Sequence, residues 1–462
     1  MINYFNFKRL NNEFLLTNDF GRYVFLDGKT FKELVLTGTV EDKHLNNELK
    51  RNRFIYDGSM KAFVDDNAYL MNDAKEYLLL PTQLHIFVVT NACNMKCIYC
   101  QAQNGRIQPN GFMSKEIAER AVDIAMQSPS ANLQFEFQGG EPLLNFDIVK
   151  HIVEYSQSKC NGKKIDYSLV SNLTLITDEM LDFIKEFNIS ISTSLDGDEL
   201  LHNQNRSYRT GNGTFNDVCK SIDKIRCSGI HIGALQTTAR ASLRRWREIV
   251  DTYIECGFDS ISLRPMTPLG CANKDWDIIG YTADEFIEFY ANAFDYILEV
   301  NKRQYFREGI SSIFLKKILE GYGANYMELR SPCGAALGQI AYYHNGEIYT
   351  CDEGRMISEM GNQSFCLGNV YTSDYNSLMD CDICRVVSSA STLESLPSCA
   401  ECVYQPYCGV CPVVNYALNT DVYEKSPNNY RCKINKGMLD IIFDKLQNNN
   451  HNFIEIFRRW IG

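Results

Sequence analysis

The sequence predicts an α/β protein: a partial (β/α)6 barrel with a small N-terminal α+β module before it and a cysteine-rich domain after it. Three observations predict this. Apolar runs bounded by turn residues recur six times between residues 84 and 266. Amphipathic segments of helical period separate them. Of the 18 cysteines, ten fall between Cys333 and Cys432. Strand alternating with helix gives a parallel sheet with helices outside, and six repeats make an open barrel rather than the closed eight-unit one. Ligands then belong at the C-terminal ends of the strands.

In chain order, residues 1–80 form a separate module. Residues 13–17 and 22–25 alternate around Asn18 to Gly21, a hairpin signal, and a helix-like stretch at 30–37 and a charged segment to Lys50 follow. The barrel occupies 81–310, with strands predicted at 84–90, 133–137, 167–170, 189–195, 232–237 and 260–266. Helices are predicted at 114–127, 146–159, 178–187, 215–228 and 243–257. From 311 to 445 the helical pattern gives way to short pieces punctuated by Gly, Cys and Asn, as expected of a domain organised by metal with little core of its own. The tail, 446–462, carries Phe453, Ile456, Phe457 and Trp460 at helical spacing and is expected to pack on the body.

A length of 462 residues exceeds the usual single domain, and 45% apolar with 12% aromatic residues can fill real cores. The formal charge of -11 and a pI near 5.3 argue against a nucleic-acid or anionic-membrane footprint, which needs clustered Lys and Arg. No signal-peptide core opens the chain and no apolar run reaches about 18 residues, so a cytoplasmic enzyme without a membrane partner is expected. Cytosolic thiols stay reduced, so 18 cysteines are read as metal ligands rather than as a disulfide framework.

Cys93, Cys97 and Cys100 follow directly on the first predicted strand. Their spacing lets one short loop offer three thiolates to three corners of a cubane cluster, leaving the fourth iron without a protein ligand. Electron carriers supply four cysteines, so another group must complete the coordination. The amine and carboxylate of S-adenosylmethionine (SAM) can chelate that iron. One electron into its sulfonium then releases an adenosyl radical able to abstract hydrogen from an unactivated carbon. A zinc loop is the competing reading of three clustered thiols. At the next strand end stands Gln138-Gly139-Gly140-Glu141-Pro142, where paired glycines allow close backbone approach and Glu141 can meet an ammonium.

The loop and this turn resemble the signatures of the radical SAM superfamily. The resemblance implies that Tyr99 flanks the adenine, that Gly139, Gly140 and Glu141 meet the SAM amino group, and that Leu263 packs on the adenine. Ser171 and Asn172 close the third strand. Ser194 with Arg206 matches a ribose and carboxylate pair in anaerobic sulfatase-maturating relatives. The alternatives are a plain turn at Asp196-Gly197 and a surface ion pair at Arg206.

Further on, Cys333 is followed by Gly346 and Cys351, then by Cys399-x2-Cys402-x5-Cys408-x2-Cys411 and Cys432. This arrangement is similar to the SPASM domain of peptide-modifying radical SAM enzymes. The resemblance implies a distal auxiliary cluster on Cys399, Cys402, Cys408 and Cys432 and a nearer one on Cys333, Cys351 and Cys411, hence three 4Fe-4S clusters with the SAM-binding one. Two features depart from it. The family has three residues between its last paired cysteines where Cys408 and Cys411 have two, and the position six after Cys333 is Gln339. Either Cys366, Cys381 or Cys384 completes the nearer set, or an iron stays open to substrate. A zinc ribbon is the alternative for residues 399–411. Cys160, Cys219, Cys227, Cys256 and Cys271 are read as packing residues without partners. Asp352, next to Cys351, corresponds to the aspartate that takes the substrate proton in sulfatase-maturating enzymes, and equally fits a group that orders the cluster loop.

Over nearly the whole chain the sequence resembles radical SAM maturases of the His-Xaa-Ser peptide systems, through Phe14 to Asn18, Leu84 to Thr90, Phe135 to Leu144, Ser192 to Gly197, Leu263 to Pro265 and Cys351 to Met356. The resemblance implies an oxidoreductase that abstracts a side-chain hydrogen from a ribosomally made precursor peptide and forms an intrapeptide cross-link, a cyclophane-type carbon–carbon bond being favoured. A thioether-forming maturase or a formylglycine-making sulfatase maturase is the alternative, and a non-catalytic iron-sulfur or zinc protein is one of another class. The implied partners are the precursor peptide, an electron donor such as flavodoxin or ferredoxin, and a second maturase encoded nearby. Residues 1–80 resemble small leader-binding elements, whose sheet edge can accept a peptide strand; a cap on the barrel is the competing expectation.

Overall fold

The first barrel strand, Leu84–Thr90, buries six of its seven side chains, the pattern of a strand covered on both faces. Its parallel neighbours alternate instead, as in Asn132–Gly139 and Ile232–Thr238. The computed structural model describes residues 1–102, 111–321, 326–423, 429–447 and 451–462. In it the six predicted strands lie in one parallel sheet, in the order Leu263–Pro265, Ile232–Thr238, Ser190–Ser194, Lys164–Val170, Asn132–Gly139 and Leu84–Thr90. The five predicted helices are present between them, and side-chain caps fix two of their starts: Ser114 Oγ accepts from the Ile117 amide and Thr177 Oγ1 from that of Met180.

The sixth run is interrupted. Ser260–Ile261 pairs with Arg307–Glu308 rather than with the barrel, and the chain rejoins the sheet only at Leu263–Pro265. The buried Glu308 carboxylate accepts the Leu263 amide (3.2 Å) at the break, satisfying a donor the ladder has lost.

Beyond Leu84–Thr90 the sheet continues into the C-terminal domain. Gln339–Tyr343 pairs parallel to it, and Glu347–Tyr349 and Cys366–Asn369 follow antiparallel, making nine strands. The C-terminal domain thus borrows part of its core from the barrel. All five residues of Gln339–Tyr343 are buried, because the barrel's edge and the domain's hairpin share one interior. Two long helices also went unread in the sequence, Ala283–Val300 and Tyr430–Gln447. They pack on each other, one from the barrel and one from the C-terminal domain, and Gly437 permits the approach: a Cβ there would stand 2.3 Å from Ile287 Cδ1. The final helix, His451–Ile461, sets Phe457 and Trp460 against Phe294, with ring centroids 6.1 and 5.8 Å away.

In the N-terminal module the expected hairpin is Glu13–Thr17 with Tyr23–Asp27, joined by a further strand, Asn6–Leu10, and by helices Gly28–Thr37, Lys43–Arg51 and Met60–Ala74. The module rests on the C-terminal domain. Thr17 Oγ1 donates to the Val403 carbonyl (2.6 Å), Asn6 Nδ2 to that of Ala400 (2.9 Å), and Tyr407 OH to that of Gly21 (3.1 Å). Among the described residues no helix is long and apolar enough to cross a membrane.

Candidate functional site: a three-cysteine loop beside a cavity

The loop bearing Cys93, Cys97 and Cys100 leaves the C-terminal end of the first barrel strand and is pinned from two sides. Its short strand Met95–Cys97 pairs antiparallel with Arg206–Tyr208, setting Cys97 opposite Arg206. The Gly139-Gly140-Glu141 turn closes on it from the second strand. The Gly140 amide donates to Thr90 O (2.9 Å) and the Glu141 amide to Ala92 O (2.8 Å). A Cβ on Gly140 would lie 2.2 Å from Ala92 O, and one on Gly139 the same distance from Thr90 O. The close approach that these glycines allow is thus to the cysteine loop's own backbone.

Glu141 is 1% exposed and accepts from Ser171 Oγ (2.7 Å), the Asn172 amide (2.8 Å) and the Leu143 amide (3.0 Å). Burial nevertheless pushes its carboxyl up to about 7. Asn172 Nδ2 reaches Asn94 Oδ1 (2.9 Å) and Cys93 Sγ (4.0 Å). Glu141, Ser171, Asn172 and Cys93, four residues singled out in the sequence, therefore form one continuous network.

Arg206 is no surface ion pair. Its side chain is 11% exposed, its Nε lies 3.1 Å from Asp196 Oδ1, and its guanidinium sits 5.2 Å from the Tyr99 ring centroid and 3.8 Å from Cys97 Sγ. Asp196, fully buried, also accepts from Tyr99 OH and from Asn205 Nδ2 (3.0 Å). That makes it a hub rather than a plain turn residue, which the sequence could not reveal because burial is not written there.

Between loop and C-terminal domain lies a cavity of about 310 Å³. Cys97, Tyr99, Cys100, Ser194 and Arg206 form its barrel wall; Glu328, Glu353, Arg431 and Met438 form the other. Arg264 and Pro265 also line it, whereas Leu263 is wholly enclosed in the core. Burial, with Glu328 and Asp352 nearby, pushes the Glu353 carboxyl up to about 7. Burial alone would raise Glu328 as well, yet Arg431 and Arg264 beside it hold it below the ordinary range. Asp352 instead holds the buried Arg355, its Oδ1 accepting from Nε (3.1 Å) and from Nη2. That geometry favours the ordering role for Asp352 and puts Glu353, which sequence reasoning passed over, at the cavity wall.

Seven further thiols sort into two sets. Cys333, Cys351 and Cys411 share a small apolar core, with exposures of 3%, 1% and 7%. Cys399, Cys402, Cys408 and Cys432 line a void of about 40 Å³ together with Lys436, Cys411 and Arg431. Burial pushes three of the thiols up, Cys93 and Cys408 to about 12 and Cys333 to about 11, so their protons must leave as a metal binds. The donor set is soft and all sulfur, which suits iron-sulfur clusters or zinc. Among the described residues no three Cys, His, Asp or Glu side chains stand close enough to share one ion. One further placement differs from expectation: Cys219 and Cys256 have each other as partners at 3.9 Å. The Cys271 backbone amide donates to Cys100 O (2.9 Å).

Comparison with known proteins agrees with this geometry. The family model described as the radical SAM superfamily matches residues 87–240, which hold the three-cysteine loop and the glycine turn. The chain carries a radical SAM domain. Among its relatives, the serine-type anaerobic sulfatase-maturating enzyme of Bacteroides thetaiotaomicron is 23% identical over 391 residues, 78% of this chain and 89% of that one. Among solved structures, native anSMEcpe with bound AdoMet superposes with a TM-score of 0.68 at 22% identity, covering 80% of this chain and 100% of that one. Streptococcus suis SuiB bound to precursor peptide SuiA gives 0.54 at 16% identity, covering 91% and 96%. The chain thus carries a domain of a family that uses SAM and a 4Fe-4S cluster, and over most of its length it is similar to a sulfatase-maturating enzyme with that domain.

Proposed function

We propose that this radical SAM enzyme matures a ribosomally made precursor peptide, abstracting a side-chain hydrogen and closing an intrapeptide cross-link, with a cyclophane-type carbon–carbon bond favoured. The observation that carries this is the cavity: one wall is the SAM-site loop, and the opposite wall runs through Glu353 and Arg431 to Cys411. A side chain inserted there stands between the place where a radical is generated and the place where an electron can be taken up. Cys93, Cys97 and Cys100 would hold the SAM-binding cluster, Cys333, Cys351 and Cys411 the nearer auxiliary one, and Cys399, Cys402, Cys408 and Cys432 the distal one. When bound, the first cluster with SAM supplies one-electron cleavage and a 5'-deoxyadenosyl radical.

The chain's own residues do the rest. Asp196 holds the Arg206 guanidinium against Tyr99, fixing the barrel wall where the nucleoside would lie beside Ser194. Glu141, Ser171 and Asn172 hold the end of the cysteine loop. Glu353 takes the proton that the substrate gives up when the new bond forms, and Asp352 with Arg355 orders that stretch. Residues 1–80 serve the leader: a peptide bound as an added strand would be delivered alongside the C-terminal domain, on which the module rests.

The test is anaerobic incubation of reconstituted enzyme with SAM, a reductant and the precursor peptide encoded beside it. Formation of 5'-deoxyadenosine with a peptide lighter by two hydrogens, and fragment spectra placing one new bond between side chains, is the expected result. A formylglycine product would replace the cross-link with sulfatase maturation, and no 5'-deoxyadenosine from folded, iron-loaded protein would end the proposal.

A further inference from the structure

Two thiols outside the three groups touch each other. Cys381 Sγ and Cys384 Sγ lie 3.5 Å apart, across the first turn of the helix Asp382–Ser389. Cys381 is half-buried, whereas Cys384 is 3% exposed and its thiol donates to Leu378 O (3.1 Å). Cys381 is therefore the more accessible member of the pair and Cys384 the more enclosed one. Arg385 neutralises both carboxylates that flank Cys381, pairing with Asp380 (2.6 Å) and Asp382 (2.9 Å). The same helix ends against the nearer thiol trio. Val387 belongs to the apolar core of Cys333, Cys351 and Cys411, and Ser391 Oγ accepts the Cys333 amide (3.0 Å). Cys366, the other spare cysteine nearby, turns its thiol to Gly368 O (3.5 Å) instead.

We propose that Cys381 and Cys384 form a thiol–disulfide exchange site, distinct from the metal-binding thiols, whose oxidant is a low-molecular-weight disulfide of the glutathione class. The Cys381 thiolate attacks one sulfur of that disulfide, forming a mixed disulfide and releasing one small thiolate. Cys384 then loses its proton and attacks Cys381 Sγ, closing the intrachain bond and releasing the second small thiol. The chain loses two electrons and two protons, and the small disulfide gains both. The accessible and buried members suit the attacking and resolving roles respectively. Oxidation ties down the start of a helix whose other end holds Cys333, so the thiol state of the surroundings is registered beside the trio.

The test uses the reconstituted holoprotein, equilibrated anaerobically at graded ratios of reduced to oxidised glutathione, then denatured, alkylated and digested with trypsin. Residues 356–385 emerge as one fragment containing Cys366, Cys381 and Cys384, so Cys366 serves as the internal reference. Under oxidising ratios this fragment should carry one alkyl group, on Cys366, with fragment ions placing a bond between Cys381 and Cys384, and dithiothreitol should restore all three alkyl groups. In Cys384→Ser a glutathione adduct should accumulate on Cys381, and in Cys381→Ser no adduct should form on Cys384. Both variants should retain the wild-type iron content. Three alkyl groups at every ratio, a bond that includes Cys366, or loss of iron from either variant would overturn the proposal, the last because it would make the pair metal ligands.

Discussion

Asp196 has no exposed surface, yet it takes hydrogen bonds from Tyr99, Asn205 and Arg206, so its charge is offset by one guanidinium and two neutral donors. Removing one member of such a buried pair strands the other. Asp196→Ala should cost about 3–5 kcal/mol in urea unfolding of the metal-free protein, with Asp196→Asn losing less because it keeps an acceptor for Tyr99. Glu141 gives a pH signature. The folded chain keeps its proton up to about pH 7, whereas the unfolded chain releases it near the ordinary carboxyl value of 4.5. Between these values the folded state binds more protons, so this group's contribution is fully present below pH 4.5 and is lost as pH rises through 7. The loss is about 3 kcal/mol at 1.36 kcal/mol per unit. Glu141→Gln should flatten that limb of the stability profile in denaturant melts from pH 4.5 to 8. The cysteine spacings and the glycine turn were legible in the sequence, being one-dimensional patterns. The hub at Asp196 and the wall position of Glu353 were not, because they depend on which side chains the fold buries.

At the scale of elements, the turn after the second barrel strand and the loop after the first behave as one piece, since the former's backbone lies against the latter's. Gly140→Ala places a methyl 2.2 Å from Ala92 O, where only backbone could give way. The expected outcome is loss of about one cluster's iron, from the Cys93 loop, while the two C-terminal thiol groups keep theirs. Iron analysis with electron paramagnetic resonance of the reduced protein reads this directly. Strand positions were readable because burial follows apolar runs, as in Leu84–Thr90. The helix Tyr430–Gln447 was not, since Arg431, Cys432, Asn435 and Lys436 on it serve the cavity and the thiol quartet and break its apolar stripe.

For the whole molecule, the joint between barrel and C-terminal domain rests on Ala283–Val300 against Tyr430–Gln447, with Gly437 at the contact. Gly437→Val should cost about 1–3 kcal/mol by overpacking and tilt the wall that carries Arg431 and Met438. Peptide binding should then weaken more than SAM binding, because the SAM wall belongs to the barrel; calorimetric melts and separate titrations with the two ligands measure the difference. Fold class was readable from the alternation of strand and helix, and the cysteine-rich C-terminal part from the clustering of its cysteines. The fusion of the two domains into one sheet was hidden, because a pairing between residues 84–90 and 339–343 leaves no local trace.

That pairing has a cost during synthesis. Leu84–Thr90 leaves the ribosome 255 residues ahead of Gln339–Tyr343, the strand that covers its outer edge. At about 5–20 residues per second the nascent chain carries this naked, strongly apolar edge for on the order of 10–50 s. Over that interval it is a template for aggregation, and molecular chaperones have their strongest reason to hold this chain before its last third is made.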